Sequence, residues 1–261
     1  MSLTRRNHGT GHSYELDGSW APGVTTLLGA GFPKGALVPW ASKACANEVL
    51  DYWDELAALS ASERFERVRS APNRDRDIAA RRGTEVHRLA ERLLSGEEVD
   101  VPEELTGHVD SYLAFLADWD VRPLLIEASV GRRSSPRYAG TLDLVADLAD
   151  RRRWLIDVKT TRSGVFDENA LQLAAYRYAD LYVDAEGREY PMLQVDQCGV
   201  VWIRADGYDL HPVEAGEPEF LLFQMVARIA RVADRRLGEK LGRRELIGAP
   251  LPIPTTKEAV T

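Results

Sequence analysis

Between Thr141 and Leu148 the chain alternates, with Leu142, Leu144, Ala146 and Leu148 on one side and Thr141, Asp143, Val145 and Asp147 on the other. Trp154 to Lys159 repeats the pattern, Trp154, Ile156 and Val158 against Leu155, Asp157 and Lys159. Successive side chains on a strand point to opposite faces. The pattern therefore predicts two adjacent strands joined by a charged turn, with Asp157 and Lys159 on one face. If the strands pair, Asp143 joins them. Two carboxylates beside one lysine are a set that can hold a divalent cation and a water next to a phosphodiester. By itself, an Asp-x-Lys pair on a wet strand is common surface chemistry.

The same periodicities organise the rest of the chain. Residues 12 to 24 alternate weakly around Asp17-Gly18 and read as a small hairpin. A short helical turn at 25–29 is followed by the breakers Gly29, Gly31, Pro33 and Gly35. Helical spacing returns from Leu37 to about Leu59, through Trp40, Ala44, Val49, Trp53 and Leu56, and a second short helix is predicted over Ser62–Arg69. A third runs from about Asn73 to Ser95, with Val86, Leu89, Ala90, Leu93 and Leu94 as its buried stripe, His87 at the border and Gly96 as the stop. Residues 102–119 form another helix, with Leu105, Val109, Tyr112, Leu113 and Leu116 inward. Leu124–Val130 is a strand containing Glu127, and Arg132 to Arg137 a basic loop. Beyond Lys159 come a loop, a helix over about Asp167–Tyr182 with Gln172 and Tyr176 one turn apart, and a strand at 193–204. Its partner is predicted at Tyr208–Glu214, followed by a helix over Pro218–Leu237 lined by Phe220, Leu221, Phe223, Met225, Val226 and Ile229.

The fold class expected is α/β (α+β), a mixed central sheet flanked by helices. The divisions are an N-terminal hairpin and helical region over 1–72, a core over 73–238 and a loose C-terminal tail over 239–261. A chain of 261 residues with 44% apolar content can bury a full core. It has no apolar run long enough to span a membrane and no apolar leader segment. Cys45 and Cys198 stand far apart and suit free thiols in a reducing compartment, so a cytoplasmic location is expected. The net charge of −8 argues against bulk coating of nucleic acid but leaves room for a local basic groove. The arginines do cluster, at residues 74–88, 132–137 and 151–153, each otherwise readable as a solvated face. Only five lysines stand against 28 arginines, which makes a lysine two residues after an aspartate less expected by chance.

Four short motifs follow one another in order: Gly83-Thr-Glu-Val-His87, Gly140-Thr-Leu-Asp143, Asp157-Val-Lys159 and Gln172-Leu-Ala-Ala-Tyr176. In that order, on a helix, two strands and a helix, they resemble the PD-(D/E)XK nuclease superfamily in its RecB-like, phage-type exonuclease branch. The resemblance covers about residues 74 to 205, and Val24 to Lys43 also looks like the leading region of such phage-borne enzymes. It implies a restriction-endonuclease-like core and a metal-dependent DNA exonuclease acting in recombination, repair or phage DNA processing. It makes Asp143, Asp157, His87 and the carbonyl of Val158 ligands to Mg²⁺ or Mn²⁺, and Lys159 the group that orients the attacking water, with Glu127 approaching the metal. Gln172 and Tyr176 would touch DNA, the ring stacking on a base, and Arg81, Arg82 and Arg137 would meet its backbone. The expected partner is linear DNA, ends favoured, with a recombination or helicase protein besides. Two cysteines exclude a four-cysteine iron–sulfur cluster, and no Gly-x-x-x-x-Gly-Lys nucleotide signature is present. An endonuclease on the same core, structure-specific or restriction-type, and a DNA-end-binding module without cleavage stay open as alternatives.

Overall fold

The computed structural model describes residues 2–8, 11–94, 97, 99–161 and 164–242; within 75–94 it leaves out the side chains of 75, 76, 78–80, 82, 87, 90, 91, 93 and 94. The architecture is mixed α/β. A three-stranded antiparallel sheet is built from β1 (Leu3–His8), β2 (Gly11–Leu16) and β3 (Ser19–Ala21), with the expected turn at Asp17-Gly18 between the last two. The central sheet has seven strands. These are β4 (Arg122–Arg132), β5 (Tyr138–Asp147), β6 (Arg153–Lys159), β7 (Leu181–Val183), β8 (Glu189–Pro191), β9 (Gln197–Arg204) and β10 (Gly207–Val213). Their order is β10-β9-β6-β5-β4-β7-β8. Among the described strands β6 and β9 alone pair in parallel, so β6 lies inside the sheet, laddered to β9 along Trp154–Lys159 and to β5 as far as Ile156.

Helices cover both faces. On one face α1 (Val24–Gly31), α6 (Asp167–Arg177) and α7 (Glu217–Ala233) bury Val24, Leu28, Leu173, Ala174, Phe223 and Ala227 against Val130, Leu142, Val145 and Leu155. On the other, α5 (Thr106–Asp118) places Tyr112 and Phe115 on Leu144, Ala146, Ile156 and Val158. The expected helical break at Gly29–Gly31 is absent. Gly31, the last residue of α1, serves packing instead: a Cβ there would lie 2.2 Å from the Val226 carbonyl oxygen of α7.

Between them, α2 (Leu37–Asp51) and α3 (Trp53–Ala58) lead into α4 (Ala61–Leu94), and α8 (Arg235–Lys240) closes the described chain. The two helices expected at 62–69 and 73–95 are one 34-residue helix with Pro72 inside, so a domain boundary at 72/73 would cut it. Proline removes the N–H that residue 68's carbonyl would have received. The Cys45 thiol takes that place, donating to Val68 O at 3.3 Å, and Arg74 donates to Arg67 O at 2.9 Å. Glu48 on α2 clamps the same stretch through Arg67 and Arg74, at 2.8 and 2.7 Å.

Several other expectations need correcting. In α5, Phe115 is buried and Leu113 exposed, because the helix presents Val109, Tyr112 and Phe115 to its neighbours. In α7, Leu221, Met225 and Ile229 are exposed, and the burying stripe is Phe220, Phe223, Val226, Ala227 and Ala230. Trp40 and Trp53 are also exposed. The helix expected to reach Tyr182 ends at Arg177, and residues 181–183 pair with β4 as a short strand. Gly96 and the tail from 243 lie outside the described residues. Among the described residues, no helix is long and apolar enough to cross a membrane.

Candidate functional site

The site begins with an irregularity in the strand pair β4–β5. Ile126 pairs with Leu144 and Ala128 with Leu142, so the register is constant across Glu127 and Asp143. Yet Ile126 and Leu144 pack in the α5 layer, whereas Ala128 and Leu142 pack in the layer of α1, α6 and α7. Both strands change face at this pair. Glu127 sits at φ +48°, a left-handed conformation that a non-glycine residue adopts at a cost and rarely within a strand. Simple alternation along 141–148 therefore fails at its centre: Leu142 does not share a face with Leu144. β5 and β6 pair only from Leu144–Ile156 to Asp147–Arg153. Beyond that, the Asp143 carboxylate accepts the Val158 N–H at 2.7 Å.

The strands open there into a cleft of about 760 Å³. Glu127, Asp143, Asp157, Lys159, Gln172 and Tyr176 all line it. Asp157 is only 1% exposed. Its Oδ2 lies 2.6 Å from Lys159 Nζ, and its Oδ1 accepts Gln172 Nε2 at 2.9 Å. Burial lowers the affinity of Lys159 for its proton, but the nearby Asp157 and Asp143 carboxylates more than reverse this, and the ammonium is held charged. About a quarter of the Lys159 side chain stays accessible.

Helix α6 brings Gln172 and Tyr176 to the cleft. Asp167 and Glu168 in its first turn suit the helix dipole, and the Asn169 side chain accepts the Phe166 N–H at 2.9 Å. Both residues are more enclosed than the sequence suggests. Gln172 is committed to Asp157 and lies 3.4 Å from the Tyr176 hydroxyl. Tyr176 is 3% exposed and wedged against Gly140, where a Cβ would lie 2.5 Å from its Cε1. A ring so enclosed offers no face for a base to stack on, so the pair acts as a buried brace behind Asp157. Burial, then the nearby Tyr14, Asp157 and Asp143, keep the Tyr176 hydroxyl protonated far above the usual tyrosine range.

The other expected residues stand as follows. The N–H of Val158 serves Asp143 and its side chain is buried in the α5 layer. Arg137 is turned to β2, donating to the Leu16 carbonyl, and does not line the cleft. Arg133 binds Asp17 and Glu189, and Arg132 the Tyr178 carbonyl, so this basic loop is consumed in internal ties. Arg81 is exposed on α4 outside the cleft lining. The side chains of His87 and Arg82 lie outside the described residues, although their helix contributes Gly83, Thr84 and Arg88 to the cleft. Among the described residues, no group of three or more His, Cys, Asp or Glu is arranged to hold a metal ion.

The N-terminal sheet supplies residues that sequence reasoning missed. Arg5, Asn7, His12 and Tyr14 line the same cleft. The Tyr14 hydroxyl shares a hydrogen bond with Thr141 Oγ1 at 2.9 Å, and burial raises its pKa, with Thr141 opposing and the Glu127 charge assisting. Strand β1 carries one buried apolar residue, Leu3, and gives almost no alternation to find. No family model matches the chain, and no curated protein matches it.

Proposed function

We propose that this protein is a metal-dependent DNA exonuclease on a restriction-endonuclease-like core. The observation that carries the reading is the meeting of Glu127, Asp143, Asp157 and Lys159 in one cleft, from the three consecutive strands β4, β5 and β6. The sheet order supports it too, since β6 with its Asp-x-Lys pair sits centrally between β5 and β9.

The donors are hard carboxylate oxygens, the chemistry that Mg²⁺ and Mn²⁺ prefer. Asp143 and Asp157 would hold the cation, with the Val158 carbonyl, Glu127 and His87 as further ligands by resemblance. When bound, the ion neutralises charge building on the phosphate and polarises water. Asp157 is tied to Lys159 and Gln172 as it stands; with an ion held there, Lys159, kept charged, would orient water and stabilise negative charge on the phosphate oxygens. Gln172, braced by Tyr176 and Gly140, keeps the Asp157 carboxylate oriented meanwhile.

The test is incubation with Mn²⁺ of end-labelled linear DNA and, separately, of closed circular duplex. Progressive shortening of the linear DNA with the circle intact is expected, and loss of hydrolysis in folded Lys159→Ala. Cleavage of the circle would replace exonuclease with endonuclease. Full activity in purified Lys159→Ala would overturn the site.

A further inference from the structure

A cleft lined by three carboxylates repels a polyanion, so a nuclease built on it needs positive charge on its walls. The β1–β2 ladder provides one such wall. Its register pairs Leu3 with Leu16, Arg5 with Tyr14 and Asn7 with His12, and directly opposed residues share a face. That face is graded. Leu3 and Leu16 are buried at its base against Ala139 and Leu181. Tyr14 follows, bonded to Thr141. Then come Arg5, Asn7 and His12, exposed and lining the cleft, with the His12 ring edge-on to Tyr14 at 5.1 Å. The opposite face holds Thr4, Arg6, Ser13 and Glu15, and there Arg6 is paired with Glu15 at 2.7 Å. Among the described residues Arg5 has no carboxylate partner, and Thr84 and Arg88 of α4 line the same cleft, Arg88 paired with Glu85.

We infer that the inner face of the β1–β2 ladder is a phosphate clamp, in which Arg5, with Asn7 and His12, grips the backbone of the DNA strand entering the carboxylate cleft. The inference rests on the nuclease reading and deepens it. A guanidinium presents paired donors that match two phosphate oxygens, and Asn7 and His12 add hydrogen-bonding groups one ladder step further out. The clamp carries no base specificity, because phosphate contacts position a strand without reading it. Arg5 is a binding residue away from the reacting atoms, so its effect falls on KM.

Arg5→Gln and Arg6→Gln remove the same charge from adjacent residues on opposite faces, which separates a local clamp from general electrostatics. Steady-state hydrolysis of end-labelled linear DNA with Mn²⁺ should show KM raised about tenfold in Arg5→Gln, with kcat within about twofold. The slope of log(kcat/KM) against log[salt] should become shallower by about one. Arg6→Gln should match the wild type, and equal melting temperatures would show both variants folded. Equal KM and equal salt slopes in the two variants, in a wild type that cuts DNA, would overturn the clamp and leave the site reading standing. A wild type that cuts no DNA would overturn the site reading, and the clamp with it.

Discussion

Two charged depressions lie on the same strand pair, and they differ in burial. One, of about 590 Å³, gathers Asp120, Arg122, Asp147, Arg151, Arg153 and Asp196 around the β5–β6 turn. The other is the carboxylate cleft at the opposite end of the pairing. At the turn two ion pairs stand in water: Arg153 with Asp147 at 2.9 Å and Arg122 with Asp120 at 2.6 Å, all with substantial exposure. In the cleft Asp157 is almost wholly enclosed and shared between an ammonium and an amide. Exposed ion pairs contribute about 0–1 kcal/mol, whereas an enclosed charge is tolerated only with every partner in place. Density of charge therefore does not tell the two depressions apart; enclosure of a carboxylate beside a strained strand does.

The largest effect that would break this contrast is at Asp157. Asp157→Ala should reduce hydrolysis by at least about 10³-fold and lower stability by about 3 kcal/mol, because Lys159 and Gln172 lose their partner. Denaturant melts and DNA digestion check both. A variant as stable as the wild type would mean that the enclosed pair is worth no more than those at the turn. Next is Gly140→Ala, which adds a methyl where Tyr176 leaves no room. It should cost about 1–3 kcal/mol and reduce activity by loosening the brace behind Asp157; chemical denaturation with parallel kinetics measures this.

A smaller effect sharpens the contrast from outside the cleft. Arg133 holds Asp17 in a two-pronged bond, at 2.9 and 3.0 Å, and hydrogen bonding to this guanidinium keeps the Asp17 carboxyl below the ordinary aspartate range. A depressed carboxyl contributes stability that is present above its unfolded pKa of about 4 and lost as pH falls through the folded value. Melting temperature should therefore fall less steeply below pH 4 in Asp17→Asn than in the wild type. The smallest effect belongs to the turn itself: Asp147→Asn should change stability by less than about 1 kcal/mol and leave hydrolysis unchanged.

Much of this was legible in the chain. Asp157 and Lys159 could be placed because β6 keeps a strict period of two. Asp143 could be placed only by way of its neighbour, because β5 changes face at that residue, which alternation cannot express. Glu127 was found as a residue but not as a strained one. The long helix α4 was split at Pro72, since no local rule foresees that a thiol from α2 satisfies the carbonyl that proline strands. The stretch after Arg177 keeps its apolar residues, so periodicity cannot separate a helix end from a short strand; pairing of Leu181 with Gly131 decides it. Arg5 and Asn7 were missed because β1 is a strand by virtue of its partner, whereas His12 lies in the expected hairpin with nothing in the sequence to tie it to the cleft.

The crossing of faces at Glu127 and Asp143 also sets the smallest piece of this chain worth expressing. On one side of the crossing β5 is shielded by α1, α6 and α7, and on the other by α5. Trimming either layer would strip half of the strand that carries Asp143. A shortened version must therefore keep both layers, together with α2, whose Cys45 and Glu48 hold α4 around Pro72.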